Sequence, residues 1–129
     1  MILAKETVQQ FFSLIRSGKA LEKVDFFMHN PVIAHQVESE NEYFVERTPK
    51  QYAEHVREML QEYGDFILEI QEIIAEGNKV YVRWKQISHI ENTKPIIEIA
   101  SAVYVVESGK ISEYWIQVDR KGIELQLSN

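Results

Sequence analysis

Trp115, Gln117 and Asp119 stand two residues apart near the end of an alternating segment, 110–119, that follows a Ser108-Gly109 turn. Side chains alternate across a strand, so an indole, an amide and a carboxylate share one face with Ile111 and Glu113, and Lys110, Ser112, Tyr114, Ile116 and Val118 take the other. A polar group buried without a partner costs roughly 2 to 7 kcal/mol, so such a row reads as the wall of a pocket rather than of a core. The amide can donate and accept hydrogen bonds and so orient an enol or carbonyl oxygen. An indole offers a flat surface to a ring. A carboxylate short of water holds a proton more readily and suits general acid and base work. Each residue also has a plainer reading: Asp119 as the cap of the turn at Arg120-Lys121-Gly122 or the partner of Arg120, Gln117 as the partner of a backbone group, and Trp115 and Trp84 as packed aromatics.

The histidines add one candidate. His29 sits in a helix-end turn and His55 on a helix, where capping and solvated surface are the simple readings. His35 lies in an apolar alternating stretch, on one face with Ile33 and Val37. His89 is an odd number of residues from Trp84, so the two face opposite ways unless a bulge intervenes. No pair of histidines has metal-ligand spacing, and the chain has no cysteine, so neither a metal site nor a thiol nucleophile is expected. Phosphate-loop, dinucleotide and Gly-x-Ser-x-Gly patterns are missing too, and no cofactor is expected.

The elements that must position these groups divide into a helical first half and a stranded second half. Val8, Phe11, Phe12 and Ile15 follow the spacing of an amphipathic helix stopped at Gly18. Leu21, Val24, Phe27 and Met28 predict a short helix ending before His29-Asn30-Pro31, followed by a strand over 32–37. The acidic stretch 38–47 reads as a loop apart from Tyr43-Phe44-Val45. Thr48-Pro49-Lys50-Gln51 combines a capping threonine, a proline at the first helical position and a capping-box glutamine, and Tyr52, Val56, Met59, Leu60 and Tyr63 mark the buried face of a third helix. Strands are predicted over 66–75, 79–90, 96–106 and 110–119; their short connections imply an antiparallel meander. A sheet with one apolar face must be covered, and the three preceding helices are the cover, giving an α+β fold.

Bulk properties narrow the partners. A chain of 129 residues has room for one domain, 1–129. Its formal charge of -6 and pI near 5.2, without a basic stripe, argue against nucleic acid. No apolar run approaches the roughly 20 residues of a membrane span. The start, Met1 to Glu6, lacks a basic segment followed by a long apolar run, so no signal peptide is expected and the cytoplasm is the expected location. Ala102, Tyr104, Ile116 and Val118, if they share the outer face of the sheet, would make it apolar enough to be buried in a homodimer.

The order of these features resembles the SnoaL-like polyketide cyclase family of the NTF2-like superfamily. The resemblance rests on the helix with paired Phe, Pro31-Val32-Ile33-Ala34-His35, the Thr-Pro helix, residues 73–84 ending at Trp84, and Gly109 to Trp115 followed by Asp119. It implies a cone-shaped barrel, a curved antiparallel sheet wrapped around three N-terminal helices, with a pocket between them. It also implies cofactor-independent, Asp-mediated proton transfer of cyclase or isomerase type on an apolar, ring-containing or polyketide-like molecule. On that basis Asp119 is the expected catalytic residue, and His35, Trp84, Trp115 and Gln117 are the expected substrate-binding residues. The alternative is a non-catalytic small-molecule-binding or dimeric assembly module, because one superfold hosts many functions.

Overall fold

The computed structural model describes residues 3–89 and 94–128. The first helix, α1 (Ala4–Phe11), continues into a widened π turn over Phe12–Arg16 and stops at Gly18. Gly18 has φ +82°, a left-handed conformation that favours glycine, and its bare Cα lets the end of the Leu60 side chain pack against the turn. A 3-10 helix follows over Leu21–Phe26. Helix α2 (Pro49–Tyr63) carries the expected capping box: Gln51 N donates to Thr48 Oγ1 at 3.1 Å, and Thr48 N donates to Gln51 Oε1 at 2.9 Å.

The sheet has six strands: β1 (Met28–Gln36), β2 (Tyr43–Arg47), β3 (Phe66–Glu76), β4 (Lys79–Ser88), β5 (Ile96–Glu107) and β6 (Lys110–Val118), in the order β2-β1-β6-β5-β4-β3. The last four form the expected meander, while β1 joins the far side of β6 in parallel and pairs β2 antiparallel. Four expectations about the elements change. Met28 begins β1, which runs on through Pro31, and the pairing with β6 is irregular where that residue offers no N–H. The stretch read mostly as loop contributes the edge strand β2. A third helix, α3 (Arg120–Leu127), follows β6, held to β5 by Gln126, whose Nε2 donates to Ile97 O at 2.7 Å and whose Oε1 accepts from Ile97 N at 2.8 Å. The strand expected to reach Ile90 ends at Ser88, and Ile90 itself lies outside the described residues.

One bulge decides which face is which. Val105 pairs Glu113 while Val106 pairs Ile111, so Ser112 is an extra residue in β6. The alternation restarts there: Ile111 and Tyr114 both enter the core, with Ile116 and Val118 packed against it, and Glu113, Trp115 and Gln117 turn to the outer face. The expected partition of β6 is thus reversed beyond the bulge, and Ala102 and Tyr104 of β5 also face inward, against the expectation that they build the outer face.

The core lies between the inner sheet face and the helices. Phe11, Phe12, Trp84 and Tyr104 are essentially buried, with Phe12 edge-on to Trp84 at 5.0 Å and to Tyr104 at 5.8 Å. Such pairs add about 0.5 to 1.5 kcal/mol beyond burial. Among the described residues no helix is long and apolar enough to cross a membrane.

Candidate functional site

Between α2 and the inner sheet face the core opens into two adjoining chambers of about 280 Å³ and 250 Å³, which share His55, Met59 and Glu98 as wall residues. The larger is lined by Arg16, Arg47, Tyr52, Tyr104, Tyr114 and the aliphatic ends of β6; the smaller by Gln86, Ser88, Ile96, Glu62 and Ile123 of α3. Strand parity explains the inner wall. Trp84, Gln86 and Ser88 alternate inward on β4, and Glu98, Ala100, Ala102 and Tyr104 do so on β5.

Arg16 is the most unusual of these groups. It lies four residues after Phe12 on the apolar stripe of the first helix, and it is 5% exposed. Its guanidinium packs over the rings of Phe66 and Trp84 at 5.8 and 5.9 Å, and Nη2 stands 3.9 Å from Glu98 Oε2, too far for a hydrogen bond. Among the described residues, Arg16 Nη1, Trp84 Nε1 and Gln86 Oε1 are buried without hydrogen-bond partners. This is therefore a polar cluster with unused donors and acceptors inside an otherwise apolar core.

The local field acts on the titratable neighbours. Burial of part of its ring, followed by the charges of Arg47 and Arg16, pulls His55 down to about 4, so this histidine, still partly open to solvent, is neutral at physiological pH. Burial pushes the phenols of Tyr52, Tyr104 and Tyr114 above their ordinary value, which keeps them protonated hydrogen-bond donors. Among the described residues no group of His, Cys, Asp and Glu side chains could hold a metal ion.

The residues singled out from sequence are not brought together in this cleft. Asp119 is exposed at the N-terminus of α3, where Oδ1 accepts a hydrogen bond from Gly122 N at 3.0 Å; it is the cap of the turn, and it is not enclosed beside Trp115. Gln117 is exposed on the outer face and borders, with Asp119 and Arg83, an open depression of about 220 Å³. His35 and Trp115 are neighbours on paired strands, but on the outer face: their rings stack at 4.5 Å and 2°, and His35 Nε2 donates to Glu113 Oε2 at 2.6 Å. Trp84 is buried in the core, where it backs Arg16. His89 is exposed beyond the end of β4. Arg120 turns from Asp119 to the acidic loop, with Nη2 at 2.6 Å from Glu40 Oε1.

Arg16 and Glu98 escaped the sequence reading, although each left a signal. Arg16 is a cation at the next i+4 step of the Val8–Phe12 stripe, and Glu98 is an acid alternating with Ala100, Ala102 and Tyr104.

Comparison with solved structures finds the same fold in proteins of low identity. A candidate polyketide cyclase from Acidithiobacillus ferrooxidans is 23% identical, with a TM-score of 0.80 over 97% of this chain and 94% of that one. IdmH, a candidate polyketide cyclase from Streptomyces antibioticus, is 15% identical, with a TM-score of 0.79 over 98% and 99%. An epoxide hydrolase of LEH-like type from M. tuberculosis is 20% identical, with a TM-score of 0.70 over 97% and 92%. A search of curated proteins finds no match. The sequence profile of the SnoaL-like polyketide cyclases matches residues 6–127, nearly the whole chain, and the protein belongs to that family.

Proposed function

We propose that the protein is a cofactor-independent enzyme of cyclase or isomerase type, and that it works in the inner cleft with Glu98, rather than Asp119, as the proton-transferring carboxylate. The observation that carries this reading is the position of Glu98: an inward-facing acid, 19% exposed, at the junction of both chambers and beside a buried guanidinium. Its carboxylate would take a proton from the carbon next to a ketone, and the electron pair of that C–H bond would pass into the enolate. Protonated phenols of Tyr104 and Tyr114 would donate to the enolate oxygen, with neutral His55 as a further donor. Return of the proton to a different carbon gives isomerisation. Attack of the enolate carbon on a second carbonyl of the same molecule forms the ring C–C bond, and the new alkoxide takes the proton back from Glu98. Chambers of about 280 and 250 Å³ suit a one- or two-ring molecule. Asp119 in this reading serves α3.

The test is proton exchange at the acidic CH2 of 2-tetralone in heavy water, followed by NMR. The parent should accelerate exchange, and Glu98→Gln should reduce that acceleration by about 10² to 10⁴, the usual worth of a positioned general base, while ligand binding persists. Binding without acceleration in the parent would support the alternative reading, a binding module, and an unaffected mutant would remove Glu98 from the mechanism.

We further propose a homodimer through the outer sheet face. A cross-strand row of Ile74, Tyr81, Val103, Trp115, His35 and Phe44 crosses all six strands there, and Ile74 and Phe44 are 55% and 59% exposed. An apolar belt of that length favours a two-fold partner.

A further inference from the structure

We infer that the natural substrate carries an anionic group, a carboxylate or a preformed enolate, which docks in the larger chamber against Arg16 and Arg47. The inference rests on the cleft being the working site, and it adds the charge class and orientation of the ligand.

Arg16 carries five N–H donors, yet among the described residues it makes no hydrogen bond; besides the rings of Phe66 and Trp84 that it packs over, it has the 3.9 Å approach of Glu98. A buried cation with unmade bonds is costly unless an anion completes it, and a planar carboxylate matches the guanidinium fork. The chamber's charge points the same way. In a chain of formal charge -6, the larger chamber is lined by two arginines and one acid, with His55 as a further wall residue. Both guanidiniums act on the same neighbours: each helps to lower His55 and opposes the rise of Tyr52 and Tyr114. Two positive charges therefore converge on one space. The smaller chamber is different, with Glu62 and Glu98 and the apolar side chains of Ile96 and Ile123. The anionic head belongs in the arginine chamber and the neutral ring body over Met59 toward α3. In that pose the ligand's anion faces the two guanidiniums that line the chamber, and Glu98 is left free to face the ring body.

The test compares 2-naphthoate with its neutral isostere 2-naphthamide by calorimetric titration at pH 7 and low salt. The parent should prefer the carboxylate by about tenfold or more, as expected for one partly desolvated charge contact. Arg47→Gln, on a half-buried edge-strand residue, should bring the ratio toward one. Arg16→Met should do the same; because that site is in the core, Glu98→Gln provides an independent check, and it should raise the preference by removing the acid that competes for Arg16. Equal affinity of the two compounds, a ratio indifferent to Arg47→Gln and Glu98→Gln, or no binding of either compound would overturn the inference. An amide that binds as well as the acid, together with loss of tetralone exchange in Glu98→Gln, would leave the proposed enzyme standing and remove only the anion. A carboxylate preference with exchange unaffected by Glu98→Gln would do the reverse.

Discussion

Replacing Asp119 by alanine separates a helix cap from a reacting group. The carboxylate accepts from Gly122 N at 3.0 Å and stands at the first turn of α3, an eight-residue helix whose other ties to the sheet include the paired hydrogen bonds of Gln126 with Ile97. Loss of an N-cap costs about 0.5 to 2 kcal/mol, and a negative charge at a helix N-terminus contributes about 0.3 to 1 kcal/mol of the same order. The exposed position places the expected loss near the middle, about 1 kcal/mol, which for a chain of this length lowers the melting midpoint by about 3 to 5 °C. Asp119→Asn keeps the accepting oxygen and should lose only a few tenths of a kcal/mol. Circular-dichroism melts of both variants, amide exchange along α3 and tetralone exchange by the same samples form the assay. Faster amide exchange confined to α3 with unchanged proton-transfer activity is expected. An alanine variant with parental stability and abolished activity would refute the reasoning and return Asp119 to the chemistry.

Other consequences can be measured as directly. Phe12→Ala and Trp84→Ala should each cost about 3 to 5 kcal/mol in denaturant unfolding, because both rings are packed in the core; losses below about 1 kcal/mol would contradict that packing. His55 is held near 4 in the folded protein, below its ordinary 6.5, so the unfolded chain takes up the proton first and stability falls as pH drops from about 6.5 to 4. Discounted for the solvent around the partly exposed ring, that loss should be about 1 to 2 kcal/mol and should vanish in His55→Gln, as read from urea titrations across the range. Light scattering at micromolar concentration should give twice the chain mass of 15.1 kDa, and Trp115→Glu should shift it toward the single chain; a monomeric parent would remove the dimer.

Long-period patterns were legible in the sequence because a single physical cause sets each. The Thr48 to Gln51 capping box, the Val8–Phe12–Ile15 stripe and the meander of β3 to β6 all appear where local chemistry put them. The site was harder to read for a comparably specific reason. Parity along 110–119 depends on every residue keeping step, and the one-residue bulge at Ser112 turns Trp115 and Gln117 outward and Tyr114 inward. A bulge is fixed by pairing with β5 and leaves little mark in the strand's own sequence. The parallel placement of β1 beside β6 is equally non-local, and it is what carries His35 to the outer face of Trp115. Helix α3 was obscured by Gly122 in its first turn, which reads as a turn residue until Asp119 is seen to cap it. Arg16 was hidden by the general rule that charges lie outside, the exception to which marks the cleft.

The choice between inner cleft and outer face can be tested most directly by mapping bound 2-naphthoate with NMR on isotope-labelled protein. The methyl groups of Met59 and Ile116 line the inner cleft, whereas the indole N–H of Trp115 and the side-chain amide of Gln117 report on the outer face. Saturable shifts are expected at Met59 and Ile116 and none at Trp115 or Gln117. Shifts at Trp115 and Gln117 with Met59 and Ile116 unmoved would contradict the choice of the inner cleft.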